Sequence, residues 1–115
     1  DVVILSDVSP KYCDMSLLKN FLENDVKQKG KSLILTGGVG LTEEYNKLGE
    51  EYLGGIIGRT SHLPEGIYIE RSEDNIGQGL KFLGKNEFKP SNEEEVVAWW
   101  SDNSPVLVVH KLGKL

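Results

Sequence analysis

The chain has 115 residues, with 13 basic and 18 acidic side chains, a formal net charge of −5, 38% hydrophobic and 27% charged residues. That is room for one globular domain of ordinary size, able to bury roughly two thirds of its unfolded surface without a staple. No apolar run approaches the ~18 residues of a membrane span, a single cysteine cannot build a disulfide framework or a multi-cysteine zinc site, and the acidic balance disfavours a nucleic-acid binder working by phosphate neutralisation.

Val2–Leu5 is a run of β-branched and aliphatic residues, expected as a strand buried on both faces. Ser6 to Pro10 follow as a turn-rich loop. Asp14 is placed to cap a helix whose apolar positions are Leu17, Leu18, Phe21, Leu22 and Val26. Gly30 suits its C-terminal stop. Ser32–Leu35 reads as a second buried strand running into Thr36-Gly37-Gly38-Val39-Gly40. Thr42 then opens a second helix, with Glu43 and Glu44 in its first turn and Gly54-Gly55 ending it. Strand–helix–strand–helix without polar alternation predicts parallel strands covered by helices.

The second half is less regular. Residues 58–65 read as loop, Gly66–Glu70 as a half-exposed strand, Arg71–Gly79 as a polar turn or loop, and Lys81–Lys89 has no clear period. Residues 95–100 and 105–111 are expected as an antiparallel hairpin around Ser101–Ser104. Trp99 and Trp100 would point to opposite faces: both are core if the sheet is covered on both sides, and otherwise one faces a partner or solvent.

Two places could carry chemistry. Thr36, Gly37, Gly38, Val39 and Gly40 sit between a strand and a helix, where backbone amides can face a phosphate or carboxylate. The spacing is neither a dinucleotide nor a P-loop fingerprint, and a tight strand–helix turn needs the same glycines. Cys13, the only thiol, lies just before a helix start, where a nucleophile would need His62 or His110 beside it. The acidic runs Glu43-Glu44, Glu50-Glu51 and Glu93–Glu95 read as solvated faces, and no metal-ligand spacing is present, so no metal and no cofactor is expected.

The run Asp1–Asp7, the helix ending in Lys29-Gly30-Lys31, and Ser32–Gly38 together resemble class I glutamine-amidotransferase-like domains, specifically the divergent members of that group. Asp102–Leu115 is similar to the family's late hairpin. The resemblance implies a flavodoxin-like sheet. It also implies a nucleophilic cysteine on the turn after the second strand, yet Thr36–Gly40 contains none, and Cys13 follows the wrong strand. The family's late His-x-Glu pair is missing as well, since Lys111 and Leu112 follow His110.

The expectation is therefore a single α/β domain over residues 1–115, with a mostly parallel flavodoxin-like sheet flanked by helices and an antiparallel hairpin near the C-terminus. Its start inside a strand at Asp1 and its end two residues after Gly113 suggest a piece of a longer chain. The expected role is a non-catalytic structural, assembly or accessory binding module, its partners being other domains of a parent chain or further copies of itself. The alternatives are a phosphate- or carboxylate-binding domain using residues 36–40, and a hydrolase or amidotransferase with Cys13 as an unconventional nucleophile. A single thiol suits the cytoplasm, and equally an exported domain.

Overall fold

The computed structural model describes residues 1–113. Lys114 and Leu115, the last two positions of the hairpin-like run, lie outside the described residues. The chain opens with β1 (Val2–Ser6), which pairs in parallel with β2 (Ser32–Thr36) in unbroken register from Val2 opposite Ser32 to Ser6 opposite Thr36. Between them runs one helix, α1, through residues 15–29, which loosens into a π turn at Phe21–Val26. Asp14 caps it by accepting the N–H groups of Ser16 and Leu17 at 3.0 and 3.1 Å, and Gly30 ends it at φ 72°.

The flavodoxin-like parallel sheet does not form. Only β1 and β2 are parallel, and the main sheet has four antiparallel strands in the order β4-β3-β5-β6: β3 (Gly55–Ser72), β4 (Lys81–Pro90), β5 (Val96–Trp100) and β6 (Pro105–Val108). The cause lies in the second crossover. Each parallel pairing needs a connection long enough to carry the chain back across the sheet. Here the expected second helix breaks at Gly49, whose φ of 98° and ψ of 151° no helix accepts, leaving a 3-10 turn at Glu43–Leu48 and a single turn, α2, at Glu50–Leu53. The chain then leaves Gly54 and enters an 18-residue strand that folds back on β4 instead.

Residues 58–65, expected as loop, lie inside β3. The glycine and proline of this span, Gly58 and Pro64, are absorbed by two register shifts, between Ile57 and Thr60 and between His62 and Ile67. Pro64 falls in the second, where the ladder asks for no N–H. The segment Lys81–Lys89 becomes the partner strand β4. Val96–Trp100 pairs antiparallel with Pro105–Val108, with irregular register.

Two clusters hold these layers. The larger brings Leu18 and Leu22 of α1 together with Tyr45 and Leu48 of the 3-10 turn and Ile57 of β3, with Leu5, Leu33, Leu35 and Phe88 packed around them. The smaller joins Ile67, Ile69 and Trp100, and Phe82 meets the Trp100 indole edge-on at 5.3 Å. Trp99 points the other way and is capped by the Arg71 guanidinium at 4.3 Å. The parallel pair is not buried on both faces as expected: Val2, Ile4 and Ile34 share an outward face and are 54%, 60% and 43% exposed, because α1 covers only the opposite one.

The β5–β6 turn is tied back to β4 by Lys85, whose ammonium donates to the Asp102 carboxylate and to Ser104 Oγ at 3.0 Å. Burial would raise the Asp102 pKa, but hydrogen bonds from Lys85 and Ser104 and the Lys85 charge outweigh it and bring it from 3.8 down to about 2. A carboxyl held low in the folded state stabilises fully above its unfolded value and loses that contribution as pH falls from 3.8 toward 2. The side chain is 43% exposed, so Asp102→Asn is expected to cost at most about 1 kcal/mol in urea unfolding at pH 7. The gap to wild type should close between pH 4 and pH 2; a gap of the same size at both ends would contradict the ion-pair account.

Candidate functional site

The carboxyl ends of β1 and β2 meet the middle of the antiparallel sheet in a polar cluster. Asp7, which follows β1, sits at φ 54°, a left-handed conformation that aspartate tolerates better than most residues. Its N–H reaches the Thr36 carbonyl at 3.3 Å, and its carboxylate accepts the Gly40 N–H at 2.5 Å. Asn86 of β4 meets the same loop from the other side. It accepts the Gly38 N–H at 2.9 Å and donates back to the Gly38 carbonyl at 2.9 Å and to Thr60 Oγ1 at 2.8 Å. The Thr36 hydroxyl donates to Ser6 Oγ at 2.9 Å.

This arrangement accounts for the glycines. Gly38 takes φ 130°, and a Cβ at Gly37 or Gly40 would collide with Asn86 or with the backbone of Asp7. It also changes what the turn can do. Two of the amides that could have cradled an anion already serve Asp7 and Asn86, and the Asp7 carboxylate stands where a phosphate would approach. Val39 projects outward, 80% exposed. The helical turn that follows has six residues and takes no side-chain cap from Thr42.

Cys13 ends the small 3-10 turn Pro10–Tyr12, its N–H on the Pro10 carbonyl at 3.1 Å, and packs against the larger core cluster. Neither histidine hydrogen-bonds to it. His110 is held elsewhere, Nδ1 against Glu95 at 2.9 Å and Nε2 against the Glu51 carbonyl at 2.8 Å, and His62 lies in β3 opposite Gly84. Tyr45, beside Cys13, donates its hydroxyl to the Val8 carbonyl at 2.5 Å; burial, and then the charge a Cys13 thiolate would carry, push its phenol up. Among the described residues no three His, Cys, Asp or Glu gather as a metal site, and no helix is long and apolar enough to cross a membrane.

Next to the polar cluster opens a cleft of about 1380 Å³. β2 forms one wall, β6 the other and β4 the back, while Leu22, Val26, Tyr52, Leu53, Ile57 and Phe88 reach it from the core. Asp7, Thr60, Asn86 and this cleft were not among the residues singled out in the sequence. Asp7 had a signal, since it stands at the carboxyl end of a strand in a parallel pair, where ligands of such sheets gather. Asn86 had none, being 48 residues from the loop it holds.

Asn86→Ala removes both hydrogen bonds to Gly38 and is expected to cost about 2–3 kcal/mol in urea unfolding. Amide exchange at Gly38 should accelerate at the same time; unchanged exchange there would mean the loop is held by something else. No protein-family model matches this sequence, no curated protein is significantly similar to it, and no solved structure significantly matches the fold.

Proposed function

We propose that the chain is a non-catalytic accessory binding module whose site is the cleft between β2 and β6. The observation that carries this reading is the contrast between two neighbouring features. Two amides of the loop 36–40, those of Gly38 and Gly40, already serve Asn86 and Asp7, whereas the cleft beside it leaves a large, mostly apolar wall open to a ligand.

The lining sets the ligand's chemistry. Its middle is aliphatic and aromatic. Lys85 is paired with Asp102 and His110 is hydrogen-bonded to Glu95, while Lys31, Lys111 and Glu87 form no ion pair among the described residues. The two ammonium groups outnumber the Glu87 carboxylate, so the rim carries an excess of positive charge on a chain of net charge −5. An elongated apolar group carrying a negative charge fits it.

Anilinonaphthalene sulfonate has that chemistry and serves as the probe. It is expected to bind the native protein with one-to-one stoichiometry and a rise in fluorescence. Ile34→Glu places a charge on an already exposed cleft residue, so it should weaken binding at least tenfold while leaving the unfolding midpoint nearly unchanged. Binding indifferent to Ile34→Glu, or no binding by the folded protein, would refute the reading.

A further inference from the structure

The two walls of the cleft are both unpaired strand edges. β2 belongs to a two-stranded sheet, so only its β1 side is paired, and β6 ends the order β4-β3-β5-β6. Residues 31–39 of β2 and its flanks line the cleft without a gap, and so do residues 105–112 around β6. Consecutive lining residues mean that the cleft looks onto the strand edges, since a cleft on a sheet face would be lined by alternate residues.

The backbone direction agrees. Ser32 N–H donates to the Asp1 carbonyl at 3.1 Å, toward β1. Alternation therefore turns the N–H and C=O of Leu33 and Leu35 outward, into the cleft. Val109 N–H donates to the Glu95 carbonyl at 3.0 Å, so the neighbouring Val108 faces away from β5. Neither Ser32–Thr36 nor Pro105–Val108 carries the charged side chains that usually guard a free edge.

Resting on the binding reading above, we propose that the cleft is a slot for one extended polypeptide strand from outside residues 1–115. The strand would hydrogen-bond to β2 on one side and β6 on the other and join the two sheets into one. Five residues suffice to run beside β2, about 17 Å. Its side chains would alternate between apolar surfaces. Gly113, just past β6, packs on the carbonyl of Lys27, just before β2, so Lys111 and Lys31 mark the same end of the slot. An acidic residue at that end of the strand completes the charge match.

The occupant cannot be a strand of a folded second copy. A strand in the slot needs both its edges free, and every strand among the described residues already spends at least one on a neighbour. The donor is therefore a segment that is extended and unpaired until it binds.

The test selects binders from a phage-displayed library of random octapeptides on the folded 115-residue protein. Selected peptides should be rich in β-branched residues with one acidic end, and should displace anilinonaphthalene sulfonate. A bound peptide should slow amide exchange at Leu33, Leu35 and Val108 at least tenfold, and N-methylation of alternate peptide bonds should weaken it at least tenfold. Dye binding with no peptide selected, or a peptide bound without protecting those amides, overturns the strand and leaves the cleft reading standing. Failure of dye and peptide alike removes both. Protection of the same amides by raising protein concentration alone would make the occupant a second copy and overturn the proposal.

Discussion

Two asparagine carboxamides hold the halves of this fold together, and each does so by imitating a peptide group. Asn86 of β4 accepts the N–H and donates to the C=O of Gly38, two residues past the end of β2. Asn46 of the 3-10 turn does the same to Ile57 at the start of β3, with both bonds at 2.8 Å. A backbone leaving one sheet and entering another must satisfy its polar groups without a neighbouring strand. The carboxamides supply that neighbour one residue at a time. The apolar cluster around Tyr45 and Leu48 forms between these two clamps, so the packing of Leu18, Leu22 and Ile57 depends on where the clamps place the loop and the strand.

Such clamps explain how far the fold could be read in advance. Local signals were sufficient wherever an element depends on its own residues. Asp14 and Gly30 bound α1, β1 and β2 follow their aliphatic runs, and the Ser101–Ser104 turn separates β5 from β6. They failed where a distant partner decides. Residues 58–65 carry loop residues, yet β4 pairs with this stretch and turns it into strand, the costs of Gly58 and Pro64 met by two register shifts. The helix expected over 43–53 had good periodicity in Tyr45, Leu48 and Tyr52, but Gly49 breaks it. The parallel sheet implied by the family resemblance fails with that helix, since the second crossover is the piece it needed.

The same logic applies to the site. The glycines at 37, 38 and 40 stood out because, between a strand and a helix, they serve either a tight turn or an anion cradle. Their reason turned out to be the close approach of Asp7 and Asn86, which are far apart in sequence and ordinary in type. A left-handed Asp7 is the local cost of that arrangement, and its carboxylate bond to Gly40 is the return on it. The polar cluster is better understood as the hinge pin of the cleft than as a ligand cradle of its own.

The cleft then follows from topology. A parallel pair with one crossover helix can cover one face and pair one edge of each strand. The four-stranded antiparallel sheet, docked through the core and the asparagine clamps, brings a second unpaired edge opposite the first without closing onto it. Side chains could have closed the gap, but Leu33 and Leu35 point into the core cluster and Ile34 points outward, so along β2 the edge itself offers its backbone groups to the space between. Buried backbone groups must find partners. Water can serve while the cleft stays open. Any occupant that closes it must bring its own alternating donors and acceptors, and an extended chain is the polymer that carries them at the spacing of a strand edge.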